Sequence, residues 1–260
     1  MPWTFAHPAA VLPLRPWMGP QRWSFGALTI GCLSPDLVYH LGLFGLAALT
    51  HSLAGIFLIC VPAGLFLLTL ARCLKEPVAQ LLPQPHRQAL MALEPVRHAF
   101  GFRALAFSAT GLAFGALTHI VWDAFTHEGR FFVQHVELLR VPLFQAFGRE
   151  FHVFKVLQHL STVVGCALLV HAYCLYLRRL PFSGGLLGGA VEERARYQVL
   201  AGIALASTVC ALPFALMDAA RADARLWLST LLVRELIYST TAFFALLAIV
   251  AVWRRKNVLA

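Results

Sequence analysis

The sequence predicts an all-α, polytopic membrane protein with about five transmembrane helices and a re-entrant or interfacial helical segment near its N-terminus. Three observations carry that prediction. Of the 260 residues, 59% are hydrophobic and 13% charged, against about 25% charged in soluble domains, and mean hydropathy is +0.72. Five apolar stretches reach the roughly 20 residues that a helix needs to cross a bilayer. The basic residues stand in short clusters beside those stretches and form no stripe interleaved with aromatics, so the net charge of +9 reads as a topology signal and not as a nucleic-acid surface.

Taken in order, the first segment is MPWTFAHPAAVLPLRPW. It lacks a basic start and is broken by Pro8, Pro13 and Pro16, so it is not expected to act as a cleaved signal peptide. It is expected to lie along the outer surface, with Trp3, Trp17 and Trp23 at the interface that favours amphipathic rings. SFGALTIGCL, residues 24 to 33, is too short to cross and leads into Ser34, Pro35, Asp36 and His40. A buried or re-entrant helix accommodates it, because polar backbone at membrane depth must be covered by protein or line a wet cavity.

The five spans are predicted at Ser52 to Leu74, Phe102 to Asp123, Phe154 to Leu177, Tyr197 to Met217 and Leu231 to Trp253. The segment between Leu74 and Phe102, with four prolines, and the Gly-rich segment from Leu180 to Gly189 read as loops with short surface helices. Twelve of the 21 Lys and Arg residues fall on the side of those two loops and the C-terminus, which makes that side cytoplasmic by the positive-inside rule. The six cysteines (32, 60, 73, 166, 174 and 210) include no C-x-x-C pair and read as small apolar residues within helices. No repeat or soluble domain stands out. Residues 1–260 form a single membrane domain, with the chemistry-bearing motifs in 1–165 and ordinary membrane helices in 166–260.

The ionisable residues are distributed unevenly over these elements. Eight of the eleven histidines, together with Asp36 and Asp123, fall on the predicted outer side. At about 100° per residue, His119, Asp123 and His127 occupy an arc of roughly 80° on one helix, and His152 and His159 share a face near Lys155 and Thr162. A carboxylate in an apolar span costs about 2.5–3.5 kcal/mol and is expected to have a partner. Asp beside His makes a mixed nitrogen and oxygen donor set, which suits zinc and, less specifically, iron or manganese. His40, His135 and His152 read as hydrogen-bonded interfacial residues, and His86, His98 and His171 as structural.

TFAHPAAVLP at 4 to 13, LSPD at 33 to 36, THS at 50 to 52, H-x-x-x-D-x-x-T-H from His119 to His127 and LQHLST at 157 to 162 together resemble a bacterial integral-membrane family of unknown function. The first four, in that order, resemble more distantly the membrane-bound metal-dependent hydrolases. Their order of His and Asp is similar, more weakly still, to that of the zinc-dependent phospholipase C group. The resemblance implies His7, Asp36, His51, His119 and Asp123 as ligands of a divalent metal, with zinc expected. His127 is matched by the closer family alone and joins the expected ligands on that basis. SPDLVYH has one Asp where the hydrolases often carry Asp-x-Asp-His, which leaves the count at one or two ions.

Together these readings give an expected function: a membrane-bound metal-dependent hydrolase of the bacterial inner membrane. Its site faces outward and acts on a lipid-like phosphoester, with His159 or Lys155 protonating a leaving group or binding a phosphate. The alternatives are a non-enzymatic metal-binding membrane protein, a metal or proton transporter and, third, a haem-binding membrane protein. The sequence leaves the oligomeric state open and gives no Ser-His-Asp, P-loop or dinucleotide pattern.

Overall fold

A computed structural model of the chain describes residues 3–18, 23–93, 101–146, 149–181, 190–224 and 226–259. His98 and most of the Gly-rich loop lie outside them, as do the side chains of Trp17 and Trp23. The fold is all-α apart from one two-stranded hairpin, Pro142–Ala146 paired antiparallel with Arg149–His152. Among the described residues five helices are long and apolar enough to cross a membrane: Leu53–Leu81, Phe102–His135, Val153–Arg179, Val191–Ala220 and Trp227–Arg255. All five predicted spans are found. The first runs seven residues further than predicted because its last turns pack: Leu81 is buried in a cluster with Ile203, Leu247 and Ala251.

The chain groups into two compact units. One comprises residues 1–38, 43–69 and 95–175; the other comprises 39–42, 70–94 and 176–260. In the second, the fourth and fifth spans form an antiparallel pair against Leu81. Their polar residues satisfy one another: the Tyr238 hydroxyl donates to Asp218 Oδ2 at 2.6 Å, and Arg234 Nε lies 3.2 Å from the same oxygen. His40 is hydrogen-bonded to Thr241 at 2.9 Å, as its interfacial reading expects.

The first unit holds the motifs. Thr4–Met18 is wound as a 3-10 segment despite its three prolines, and Trp23–Leu33 is an α-helix of eleven residues. At 1.5 Å per residue that helix is about 16 Å long, about half a bilayer core. It packs against the second span, burying Ala27 beside Leu112, and against the N-terminal segment, burying Leu28 and Cys32 beside Val11. Glycines set the closeness of this crossing. A Cβ at Gly115 would overlap the Leu28 carbonyl oxygen, and one at Gly31 would overlap the Leu112 carbonyl. Backbone therefore meets backbone, and the Cys32 carbonyl comes within reach of His119, one turn beyond Gly115.

Overpacking of this kind costs about 1–3 kcal/mol, or roughly 3–10 °C in Tm for a chain of this size. Gly115→Ala should lower Tm by that amount in detergent. Gly26→Ala on the same short helix, where a Cβ meets nothing within 4 Å, should leave Tm unchanged or slightly raised. Equal Tm values for the two variants would show that the crossing is not close.

Candidate metal centre

Each of the four motifs becomes a local structure that turns one or two side chains to a common point. In LSPD, Pro35 ends the short helix, the Ser34 hydroxyl donates to the Gly31 carbonyl at 2.8 Å, and the chain passes into a 3-10 turn that buries Asp36. In THS, Thr50 closes a one-turn helix, His51 follows at its C-terminal end, and the Ser52 hydroxyl caps the first span by accepting from Gly55 N–H at 3.0 Å. The five-residue π-helical turn Ile56–Cys60 follows immediately; such turns gather at functional sites. His119 and Asp123 project from one face of the second span at the i, i+4 spacing, and His7 comes from the 3-10 segment.

These five side chains converge. His51 Nε2 lies 3.4 Å from Asp36 Oδ1 and 3.4 Å from Asp123 Oδ2. His119 Nε2 lies 3.5 and 3.4 Å from the same two oxygens, and His7 Nε2 lies 3.7 Å from Asp123 Oδ1. The His7 and His119 rings stack at 3.7 Å. Ligand-capable atoms form two overlapping triplets, His7, His119 and Asp123 with Asp36, His51 and His119, each within 4.8 Å of one another. All five residues are buried, none more than 6% exposed.

The hydrogen bonds around the cluster fix what its inner atoms can be. A carbonyl oxygen only accepts, so His119 Nδ1 carries the proton that meets Cys32 O at 2.7 Å, and His51 Nδ1 the proton that meets Ala47 O at 2.9 Å. In the neutral rings both Nε2 atoms then carry lone pairs, directed at carboxylates. Thr4 Oγ1 donates to Asp36 Oδ2 at 2.6 Å, which leaves Oδ1 facing the two imidazoles. Burial, with His119 close by, pushes the His7 imidazole down to about 3, so its ring is neutral.

Lone pairs and carboxylate oxygens facing one another in a dry interior repel unless a cation lies among them. The separations agree. An N–H···O bond spans about 2.7–3.2 Å, shorter than the 3.4–3.7 Å found here. Donors held about 2.0–2.2 Å from a tetrahedral zinc lie about 3.3–3.6 Å from one another. His7 Nε2, Asp36 Oδ1, His119 Nε2 and Asp123 Oδ1 are buried with no hydrogen-bond partner, where nearly all such atoms are satisfied. Three neutral imidazoles and two carboxylates fit one or two divalent ions. The His7–His119 stack leaves no room for a porphyrin between the rings, which does not favour haem.

The family described as Domain of unknown function (DUF4184) matches residues 1–253. The chain belongs to this family. No curated protein and no solved structure matches the chain.

For this family member the structure also separates the remaining candidates. His127 lies behind Asp123 and outside the two triplets. Lys155 Nζ donates to Gln158 Oε1 at 2.9 Å, so the amide nitrogen of Gln158 is the atom that meets His127 Nε2 at 3.2 Å. An amide nitrogen only donates, so Nε2 accepts and the His127 proton sits on Nδ1, 3.3 Å from Asp123 Oδ1. That proton is turned to the Asp123 backbone carbonyl at 3.3 Å and to Thr126 Oγ1 at 3.1 Å, which leaves Asp123 Oδ1 without a hydrogen bond, and the other ring nitrogen of His127 is already taken. His159 is not brought to the cluster: Gln158 turns inward, and its neighbour, about 100° round the helix, is exposed with its ring 6.5 Å from Phe151. His135 donates to the Phe131 carbonyl at 2.7 Å and His152 lies 3.7 Å from Glu150, outside the cluster.

Two members of the site escaped sequence reading, Thr4 and Gln158. Both stand inside quoted motifs, TFAHPAAVLP and LQHLST, and Gln158 was legible as a large amide in an otherwise apolar span. Metal content of purified protein, measured by mass spectrometry, checks the arrangement. Asp36→Asn and His119→Ala should fall to background. Gln158→Leu, which releases the His127 ring that lies against Asp123, should weaken affinity by about 10–100-fold. His159→Ala should match wild type; a loss there as large as in His119→Ala would overturn the assignment.

Proposed function

We propose that the chain is a membrane-embedded, zinc-dependent hydrolase of lipid-like phosphoesters. The observation that carries this reading is the set of buried, partnerless atoms on four of the five converging residues, in a donor set of three imidazoles and two carboxylates. His7, Asp36, His51, His119 and Asp123 would hold one or two ions. When bound, zinc supplies an acidified water and neutralises charge on a phosphoryl oxygen.

The chain's own residues do the rest. Cys32 and Ala47 carbonyls keep His119 and His51 in the tautomer that turns Nε2 inward. Thr4 keeps one oxygen of Asp36 occupied, and Gln158 holds the His127 ring beside Asp123. Lys155 brings a cation to the wall next to this layer, suited to an anionic ester. The apolar helices around the cluster favour a substrate drawn from the bilayer over a soluble metabolite. The bias of basic residues towards the opposite side favours a centre facing outward from the bacterial inner membrane.

The test is release of head group from a fluorescent lipid phosphoester by protein in nanodiscs. Chelation should abolish turnover, zinc should restore it, and His119→Ala should lower it by at least about a hundredfold. Turnover insensitive to chelation would contradict the proposal. Stoichiometric zinc with no turnover of any phosphoester would favour the non-enzymatic metal-binding reading.

A further inference from the structure

Beside the cluster, in the same unit, a cleft of about 620 Å³ opens where the second and third spans meet the hairpin between them. Its size is that of a small-molecule site. Its floor is firm: Val133 and Phe154 line it and are buried together with Leu139. The turn that carries Glu128 into the wall depends on Gly129, whose φ of 74° other residues rarely adopt. The polar lining is of mixed sign, with Arg140 and Lys155 on one account and Glu128 and Glu150 on the other. Glu150 is held in place by Gln145 at 3.4 Å and by His152 at 3.7 Å.

Two features say what such a cleft takes. Lys155 belongs both to the cleft and to the hydrogen-bonded chain Lys155, Gln158, His127, whose last ring lies 3.3 Å from Asp123, so the cleft wall is continuous with the layer that lies against the cluster. The connection that forms the cleft also displays Phe131, Leu138, Leu143 and Phe144, each between 51% and 67% exposed. Large apolar side chains grouped beside a charged pocket are uncommon on surfaces that face water. In the interface they suit a molecule with an apolar tail outside and a charged head within.

We propose that this cleft binds the head of a phosphoester that carries a primary ammonium, with Arg140 and Lys155 on the phosphate and Glu128 and Glu150 on the ammonium. The assignment deepens the hydrolase reading and rests on it for the link between binding and turnover. A singly anionic head without an amine would leave both carboxylates facing the ligand unmatched. A quaternary amine would offer them no N–H.

Full-length protein in phosphatidylcholine nanodiscs doped with phosphatidylethanolamine or with phosphatidylglycerol, read by native mass spectrometry, tests this. Soluble glycerophosphoethanolamine and inorganic phosphate, titrated by calorimetry, separate a lipid head from a free ester. Wild type should prefer phosphatidylethanolamine by about tenfold or more, the scale of one charged hydrogen bond. It should bind the soluble amine ester more weakly than the lipid but better than phosphate. Glu128→Gln should reduce the preference to under about twofold, and Arg140→Gln should weaken both lipids. Metal content should stay at the wild-type level in both variants. Equal binding of the two lipids by wild type, or an undiminished preference in Glu128→Gln, overturns the assignment. Absence of metal with the preference intact would instead sink the hydrolase reading and leave the cleft assignment standing.

Discussion

The constraint on which the first unit depends is electrostatic. Two carboxylates, Asp36 and Asp123, are buried among apolar helices with three imidazole nitrogens turned towards them. Taking carboxylates out of water costs several kcal/mol each, and that cost is recovered only with close opposite charge and satisfied lone pairs. The protein satisfies the outer atoms of the cluster and leaves its inner ones facing each other. A divalent cation would resolve that conflict with the donors already in place, which is why the proposed function begins from a metal.

The surrounding architecture serves this arrangement. The Gly31–Gly115 crossing lets the short helix approach the second span closely enough for a backbone carbonyl to set the His119 tautomer. The Pro35 turn and the Ser52 cap reverse the chain sharply enough to deliver Asp36 and His51 from either side of a fourteen-residue excursion. Outside the five converging residues, a further layer runs from His127, beside Asp123, through Gln158 to Lys155 and ends at the wall of a charged cleft. A buried site with a graded path to the surface is the form expected where chemistry and head-group recognition are kept a few side chains apart.

Much of this was legible in the sequence, for identifiable reasons. The spans were legible because hydropathy over twenty residues leaves little choice in a bilayer, whereas their ends shifted by several residues, at Leu81 because the last turns of the first span pack. The five converging residues were legible because an intramembrane Asp is costly and its spacing to His119 lies on one helix face, while their grouping with His7, Asp36 and His51 came from the motif resemblance. His127 and His159 were misleading because spacing along a helix does not say which nitrogen is already taken, or which of two adjacent residues turns inward. Gln158 decides both. Thr4 stayed hidden because a threonine near the N-terminus carries no signal until Asp36, 32 residues away, is placed against it. The cleft was illegible because its walls come from three elements joined by a hairpin that no periodicity announced.

The central claim is that an ion lies among these five side chains and that nitrogen and oxygen alone hold it. Zinc-edge X-ray absorption of the purified protein tests this most directly. The account predicts a first shell of nitrogen and oxygen at about 2.0–2.2 Å with the outer scattering of imidazole rings and no sulfur. A sulfur shell at about 2.3 Å, which would point to the buried Cys32 or Cys60, or a fully hydrated ion without imidazole, would contradict it.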